Sequence, residues 1–291
     1  MEMHDTDSHA DAEGHPTDQP RLSHTNDSIT GLFAAALRDL ADGFSRRELW
    51  VALAHDDMRQ RFRRTIFGLA WLTISYAVFV AAKVIIFGQL ISTPIEWFAV
   101  YVTIGFLGWQ FMNSVVTDGC TAFINSENWI LGIKLPVSVF IFESIARDCL
   151  VFFYSAIVAL AVLLIVQHPL TLTALMVIPA FGVYLINAVF AHMLLGVTCM
   201  RYRDLSQLIQ TLMRVLFFLT PLIWTPEQVG DLQRWLWWNP FTYFIDIFRA
   251  PIVDGVIPVH SWMIVGLMTL VLGIIAFSTF ALFRRRLAFW F

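Results

Sequence analysis

Two lysines stand in the whole sequence, Lys83 between Ala82 and Val84, and Lys134 between Ile133 and Leu135. A phosphate-binding loop of the Walker A type needs Gly-x-x-x-x-Gly-Lys-Ser/Thr, because backbone amides cradle the phosphates while the lysine reaches the terminal ones. Neither lysine has that setting, so any dependence on ATP has to come from a separate chain. No His-Glu-x-x-His and no Gly-x-Ser-x-Gly elbow occurs, which leaves no zinc hydrolase or serine hydrolase motif. The acidic pair Asp56-Asp57 is followed closely by Arg59, Arg61, Arg63 and Arg64. That neighbourhood makes an ion-paired, solvated face and argues against a metal site. Cys120, Cys149 and Cys199 are too widely spaced for a CxxC pair and read as structural thiols. No catalytic residue, metal or cofactor is expected in this chain.

Polar residues inside the apolar runs are arranged in stripes. Thr103, Gln110 and Thr117 recur every seven residues with Asn113 and Ser114 beside them, and Gln207, Gln210, Thr211 and Arg214 follow helical spacing. A charge at bilayer depth costs about 2.5–3.5 kcal/mol even on a mild insertion scale. Arg214 is therefore expected to face a partner helix or a water-filled path, not lipid. Thr73, Tyr76, Val80 and Lys83 share another face, although Lys83 is also close enough to the outer end of its run to snorkel. Two readings fit these stripes: hydrogen bonding between helices, or the lining of a hydrated conduit. The chain has 26 Phe, 11 Trp and 6 Tyr. Flat aromatic faces beside hydrogen-bonding groups suit a sliding sugar, and Trp71, Tyr76, Trp109 and Phe111 are candidates.

The elements that carry these residues are those of a membrane protein. Of 291 residues 58% are hydrophobic and only 14% charged, against roughly 25% charged in an average soluble domain. Mean hydropathy is +0.67 over the full length, so the apolar excess recurs in block after block. A net charge of −3 and a pI near 6.2 leave no electrostatic footprint for nucleic acid, so such a partner is set aside. We expect an all-α polytopic protein with six transmembrane helices near Leu69–Leu90, Trp97–Thr117, Val137–Val166, Leu172–Met200, Leu208–Trp224 and Trp262–Phe283. Residues 1–28 are acidic, contain His4, His9, His15 and His24, and bury too little to order, so they read as a disordered tail that is not a signal peptide.

Residues 29–64 read as two amphipathic helices, the first ended by Gly43 and the second opened by a Ser45-x-x-Glu48 capping box. Residues 65–291 form the membrane domain. The long third run carries Glu143, Arg147 and Asp148 early, so its start is expected along the interface, with Glu143 spaced to pair with Arg147. Lys134, Arg201, Arg203 and Arg284–Arg286 fall on the side of the first arginine cluster, which the positive-inside rule makes cytoplasmic, with both termini. Between the last two spans, Thr225–Ser261 is aromatic yet broken by Pro226, Pro240, Pro251 and Pro258. It reads as a re-entrant helix pair turning at Asn239-Pro240, or as an interfacial aromatic belt.

Several runs resemble the ABC-2 type permeases of polysaccharide exporters, the group of O-antigen, capsule and teichoic-acid transporters. They are Asp57 through Trp71, Thr220-Pro221-Leu222-Ile223-Trp224, and Asn239-Pro240-Phe241-Thr242-Tyr243-Phe244 with Arg249. Here Phe67-Gly68-Leu69-Ala70-Trp71 stands where that group has Leu-Gly-Pro-Leu-Trp. The resemblance implies a half-transporter of the bacterial inner membrane: a homodimer with two copies of a separate ATPase chain that binds the ATP and Mg. It implies that Ser45–His55 is an interface helix, and that Glu127, Asn128, Trp129, Ile130 and Lys134 couple to the ATPase. Trp235, Trp237, Trp238, Phe241, Tyr243 and Arg249 would close the periplasmic exit. The implied cargo is a lipid-linked glycan, whose diphosphate Arg59, Arg61, Arg63 and Arg64 would attract at the entrance; setting topology is the alternative role for those arginines. Trp71, Tyr76, Trp109, Gln110, Asn113, Gln210 and Arg214 are then the expected conduit lining. The competing functions are a permease for a drug or small lipid and, further off, an enzyme of cell-envelope assembly.

Overall fold

The computed structural model describes residues 29–88, 94–132, 135–225, 230 and 238–290. The expected tail, Lys134, Trp235 and Trp237 lie outside these residues. Among the described residues the structure is helical throughout, with no strand. Two helices precede the bundle, α1 (Ile29–Ser45) and α2 (Arg47–Arg61). The bundle follows as α3 (Ala70–Phe87), α4 (Ile95–Thr121), the one-turn α5 (Glu127–Gly132), α6 (Ser138–Val166), α7 (Val177–Arg201), α8 (Asp204–Leu219), α9 (Pro240–Val253) and α10 (Val259–Phe283). Short 3-10 turns precede α7 and follow α10.

The centre is α4, which packs on α3, α6, α7, α8 and α9. Its residues from Phe98 to Trp109 are all buried, because small residues at Gly105 and Gly108 let Arg249, Leu222, Tyr184 and Phe248 come close. Around it the other helices turn large apolar side chains outward, among them Phe79, Ile85, Leu164, Ile165, Leu270 and Ile274. In water such a surface would aggregate; against hydrocarbon it is the favourable one.

Among the described residues five helical stretches are long and apolar enough to cross a membrane: α3, α4, α6, Leu172–Arg201 and α10. Six were expected. The expected fifth span is α8, which has 16 residues, or about 24 Å against a hydrocarbon core of about 30 Å. It stops because Thr220, at φ −96° and ψ 134°, precedes Pro221; the proline ring disfavours the α conformation in the residue before it. The long third run is one uninterrupted helix from Ser138 to Val166.

Two expectations about the N-terminal helices are corrected. The capping box does not form: α2 starts at Arg47 with no side-chain cap, and the Ser45 hydroxyl donates to the Asp42 carbonyl at 2.8 Å. Nor does Gly43 end α1. Its lack of a side chain lets the start of α6 pass at contact distance, where the Ser138 amide donates to Asp39 Oδ1 at 3.1 Å and its hydroxyl to the Asp39 carbonyl at 2.6 Å. Asp39 also pairs with Arg284 at 2.9 Å, so one aspartate ties α1 to both α6 and the end of α10.

A Cβ on Gly43 would overlap Ser138 Oγ and approach the Ser138 carbonyl carbon to 3.2 Å. Gly43→Ala should therefore cost about 1–3 kcal/mol, read as a lower unfolding temperature in detergent. A melting curve unchanged from the parent would show that this contact is loose.

Candidate functional site

Three polar assemblies punctuate the bundle. At the end that carries α1 and α2, Arg147 of α6 sits among acids from three helices. Its guanidinium lies 2.9 Å from Asp57 of α2, 3.2 Å from Glu143 one turn back on α6, and 3.3 Å from Asp118 near the end of α4. It also donates to Ser144 Oγ at 3.1 Å. That bond leaves the Ser144 hydroxyl free to donate to His192 Nε2 at 3.0 Å, while His192 Nδ1 donates to the Ala188 carbonyl at 2.9 Å. The network thus assigns a neutral His192 protonated on Nδ1. Asp148 is buried beside this group, with Oδ2 unmatched by any donor. The Glu143–Arg147 pairing follows from helical spacing. Asp57 reaches Arg147 and not Arg61, which sequence could not show. Asp118 and His192 were missed, although a histidine in an apolar run is itself a signal.

The second assembly is an aromatic seam between α3, α4, α8 and α9. Lys83 Nζ lies 4.0 Å from the ring centre of Phe79, 4.3 Å from Phe106 and 5.4 Å from Phe217. Phe217 in turn meets Trp109 at 5.8 Å, and Trp109 meets Phe241 at 5.4 Å. A desolvated cation–π contact is worth about 2 kcal/mol, the same order as the cost of placing a lysine at bilayer depth. The rings can hold the ammonium there, but they accept none of its N–H bonds.

The third assembly closes the opposite end. Arg249 of α9 is buried, donates to the Pro221 carbonyl at 2.6 Å and lies 3.8 Å over the Tyr101 ring. The Tyr101 hydroxyl bonds the carbonyls of Pro221 and Trp224, both at 3.1 Å. Asn239 caps α9 by accepting from the Phe241 amide at 3.0 Å, and its own amide donates to Thr220 Oγ1 at 2.8 Å. The unwound end of α8 is therefore stapled to α4 and α9.

The expected site residues fall into separate places. Of the conduit candidates, Tyr76 is buried and donates to the Thr103 carbonyl at 2.6 Å, and Gln110 donates to Ser155 Oγ at 3.3 Å. Both join helices to one another. Trp109 is buried in the seam, Asn113 and Gln210 are half-buried, Arg214 is exposed, and Trp71 is half-exposed with its ring stacked on Phe67. Arg59 and Arg63 line a cavity of about 470 Å³ with Asp56, Gln60, Phe62, Gly68 and Leu69. Arg61 and Arg64 are exposed outside that lining. Glu127, Asn128, Trp129 and Ile130 form most of α5, with Trp129 nearly half exposed. Trp238 is exposed, Phe241 packs in the seam, and Tyr243 is buried.

The sequence profile described as ABC-2 type transporter matches residues 48–253. The chain belongs to that family. The match begins in α2 and ends with α9, so the Arg147 cluster, the aromatic seam and the Arg249 staple all lie within it. Among curated proteins the chain is similar to an O-antigen export system permease protein RfbA of Klebsiella pneumoniae. The two are 21% identical over 243 residues, covering 83% of this chain and 94% of that one. A second protein of that name from the same organism is 20% identical with the same coverage. One from Myxococcus xanthus is 21% identical over 212 residues, covering 67% of this chain and 75% of that one. This ABC-2 family member is thus an all-helical, multi-pass membrane protein.

Among the described residues Arg147 is the one cation within ion-pair range of Asp57, Asp118 and Glu143. Arg147→Met should cost roughly 3 kcal/mol, because it leaves the largely buried Glu143 carboxylate unpaired. Asp57→Asn, whose side chain is half exposed, should cost under about 1 kcal/mol. Thermal unfolding in detergent measures both; equal, small losses would show that the cluster does not tie α2 to the bundle.

Proposed function

We propose that the chain is the membrane-spanning permease subunit of an ATP-driven exporter that moves a lipid-linked polysaccharide of the O-antigen kind from the cytoplasm outward. The observation that carries this reading is the family membership together with the similarity, along most of both chains, to proteins named as O-antigen export permeases. No Walker A lysine exists in the sequence, so the energy comes from a separate ATPase, in two copies, docking where α5 protrudes. Tryptophan and an acid on a short exposed helix suit insertion into a groove of such a partner. By the positive-inside rule the arginine cluster supports a cytoplasmic position for that end at a bacterial inner membrane, with α1 and α2 along its surface.

In this arrangement α8 completes a sixth crossing through its extension Thr220–Thr225, and α9 lies in the outer leaflet. One bundle cannot enclose a hydrated polymer, so two copies pair about a two-fold axis and the passage runs between them. The guanidinium forks of Arg59 and Arg63, in their cavity, suit phosphate oxygens of the lipid diphosphate near the entrance, with Arg61 and Arg64 adding to the field. The aromatic seam gives the sugars flat faces, and the Arg249 staple holds the exit. Closure of the ATPase pair rocks α2, and the Arg147 cluster transmits that movement to α4 and α6.

Two measurements test this. The chain purified alone in lipid vesicles should turn over no ATP, and activity should appear only when a cognate ATPase subunit is added. Deletion of the gene should remove surface glycan while lipid-linked glycan accumulates inside the cell. Unchanged surface glycan would reject the cargo, and drug sensitivity in its place would favour a drug or small-lipid permease.

A further inference from the structure

Beside α2 the bundle leaves an apolar cavity of about 480 Å³. On one side it is lined by Phe44, Trp50, Val51 and Ala54 at the junction of α1 and α2. On the other are Phe142, Ala146, Cys149 and Phe153, on successive turns of one face of α6, with Leu185 and Val189 of α7. The rings of Phe44 and Trp50 meet Phe142 at 5.5 and 6.1 Å, while Phe153, Leu185 and Val189 stand near the middle of their helices. From Phe142 to Phe153 the chain rises roughly 16 Å along α6, about half of a hydrocarbon core of about 30 Å. The cavity is thus a groove as deep as one leaflet. Phe44, Val51 and Phe153 are exposed along it, so it is open to the surrounding lipid. No residue lines both this groove and the cavity of Arg59 and Arg63.

We propose that this groove binds one acyl chain of a cytoplasmic-leaflet phospholipid, whose phosphate is held by Arg46 and Arg47. Both arginines are exposed, and neither pairs with an acid among the described residues. Arg47 precedes Trp50 and Val51 by three and four residues, so it stands over the helix face that lines the groove. A guanidinium fork there matches phosphate oxygens at the depth of a headgroup, and Trp50 suits the boundary between headgroup and chain. Glu48, exposed on the same turn, gives this end both signs of charge, which a headgroup carrying phosphate and ammonium together complements. Below it the wall offers no polar partner and the right depth for a single chain. A lipid bound in this way fastens α2 to α6 and α7 beside the Arg147–Asp57 pair. Only the cytoplasmic placement of α2 is taken from the reading above; the groove and its charges do not depend on the cargo.

The test uses the full-length chain in detergent, with bound lipid counted by native mass spectrometry. The probe is dioleoylphosphatidylethanolamine, and dioleoylglycerol, with the same chains and no phosphate, is the comparison. One phospholipid should be retained per chain, bound roughly tenfold more tightly than the diacylglycerol. Arg46→Gln with Arg47→Gln should bring the two lipids level. Ala146→Phe, which fills the groove, should weaken both by about tenfold. The glutamine variant alters exposed side chains only, so it remains a test even where Ala146→Phe fails to fold. Equal binding of the two lipids by the parent chain, or a preference that survives the double glutamine variant, overturns the phosphate contact and with it the proposal. Retention unchanged by Ala146→Phe in a folded chain overturns the groove as the place of binding, as does a parent chain that retains no lipid. A polyprenyl phosphate that displaces the phospholipid at equal concentration would assign the groove to the lipid of the cargo and overturn the proposal. None of these outcomes touches the polysaccharide reading, which the gene deletion tests separately.

Discussion

Hydrocarbon offers no hydrogen bonds, so every donor and acceptor at depth has to find its partner within the protein. This constraint is visible in four bonds that link one helix to another. Tyr76 of α3 donates to a carbonyl of α4, Gln110 of α4 to Ser155 of α6, Tyr184 of α7 to Phe244 of α9, and Asn187 of α7 to Thr269 of α10. Each bond joins two helices whose apolar surfaces would be equally content against lipid. Packing between such helices has little hydrophobic drive, so the polar links and the close approach at Gly105 and Gly108 decide which faces meet.

The same constraint makes the charged assemblies informative. Arg147 holds acids from α2, α4 and α6 at the N-terminal end, so α2 is tied directly to the central helix. Arg249 does the corresponding job at the other end with carbonyls and a ring in place of carboxylates, fixing the segment that Pro221 unwinds. Between these two stapled ends lies the aromatic seam, which has rings and cations but few direct helix-to-helix hydrogen bonds.

Much of the outline was legible in the residues. Long apolar runs placed five crossing helices to within a few residues of their ends, because length and hydropathy are local properties that no tertiary contact overrides. The absence of a phosphate-binding lysine was likewise complete in the sequence. Local rules failed where packing outbid them. The Ser45–Glu48 box was displaced because Ser45 bonds back to Asp42, and Gly43 serves close approach to Ser138 and not helix termination. The expected fifth span was cut short by a proline whose effect on Thr220 was visible in principle but was outweighed by the apolar count.

The polar stripes show the division most clearly. Their spacing fixed which residues share a helical face, since that follows from 3.6 residues per turn alone. It could not fix what that face meets. Only the folded bundle turned Tyr76 and Gln110 inward to neighbouring helices, brought Asp57 and Asp118 to Arg147 from distant parts of the chain, and set Lys83 over the rings of Phe79, Phe106 and Phe217. Partners across helices depend on crossing angles and axial offsets summed over the whole bundle, and no single segment of sequence carries that information.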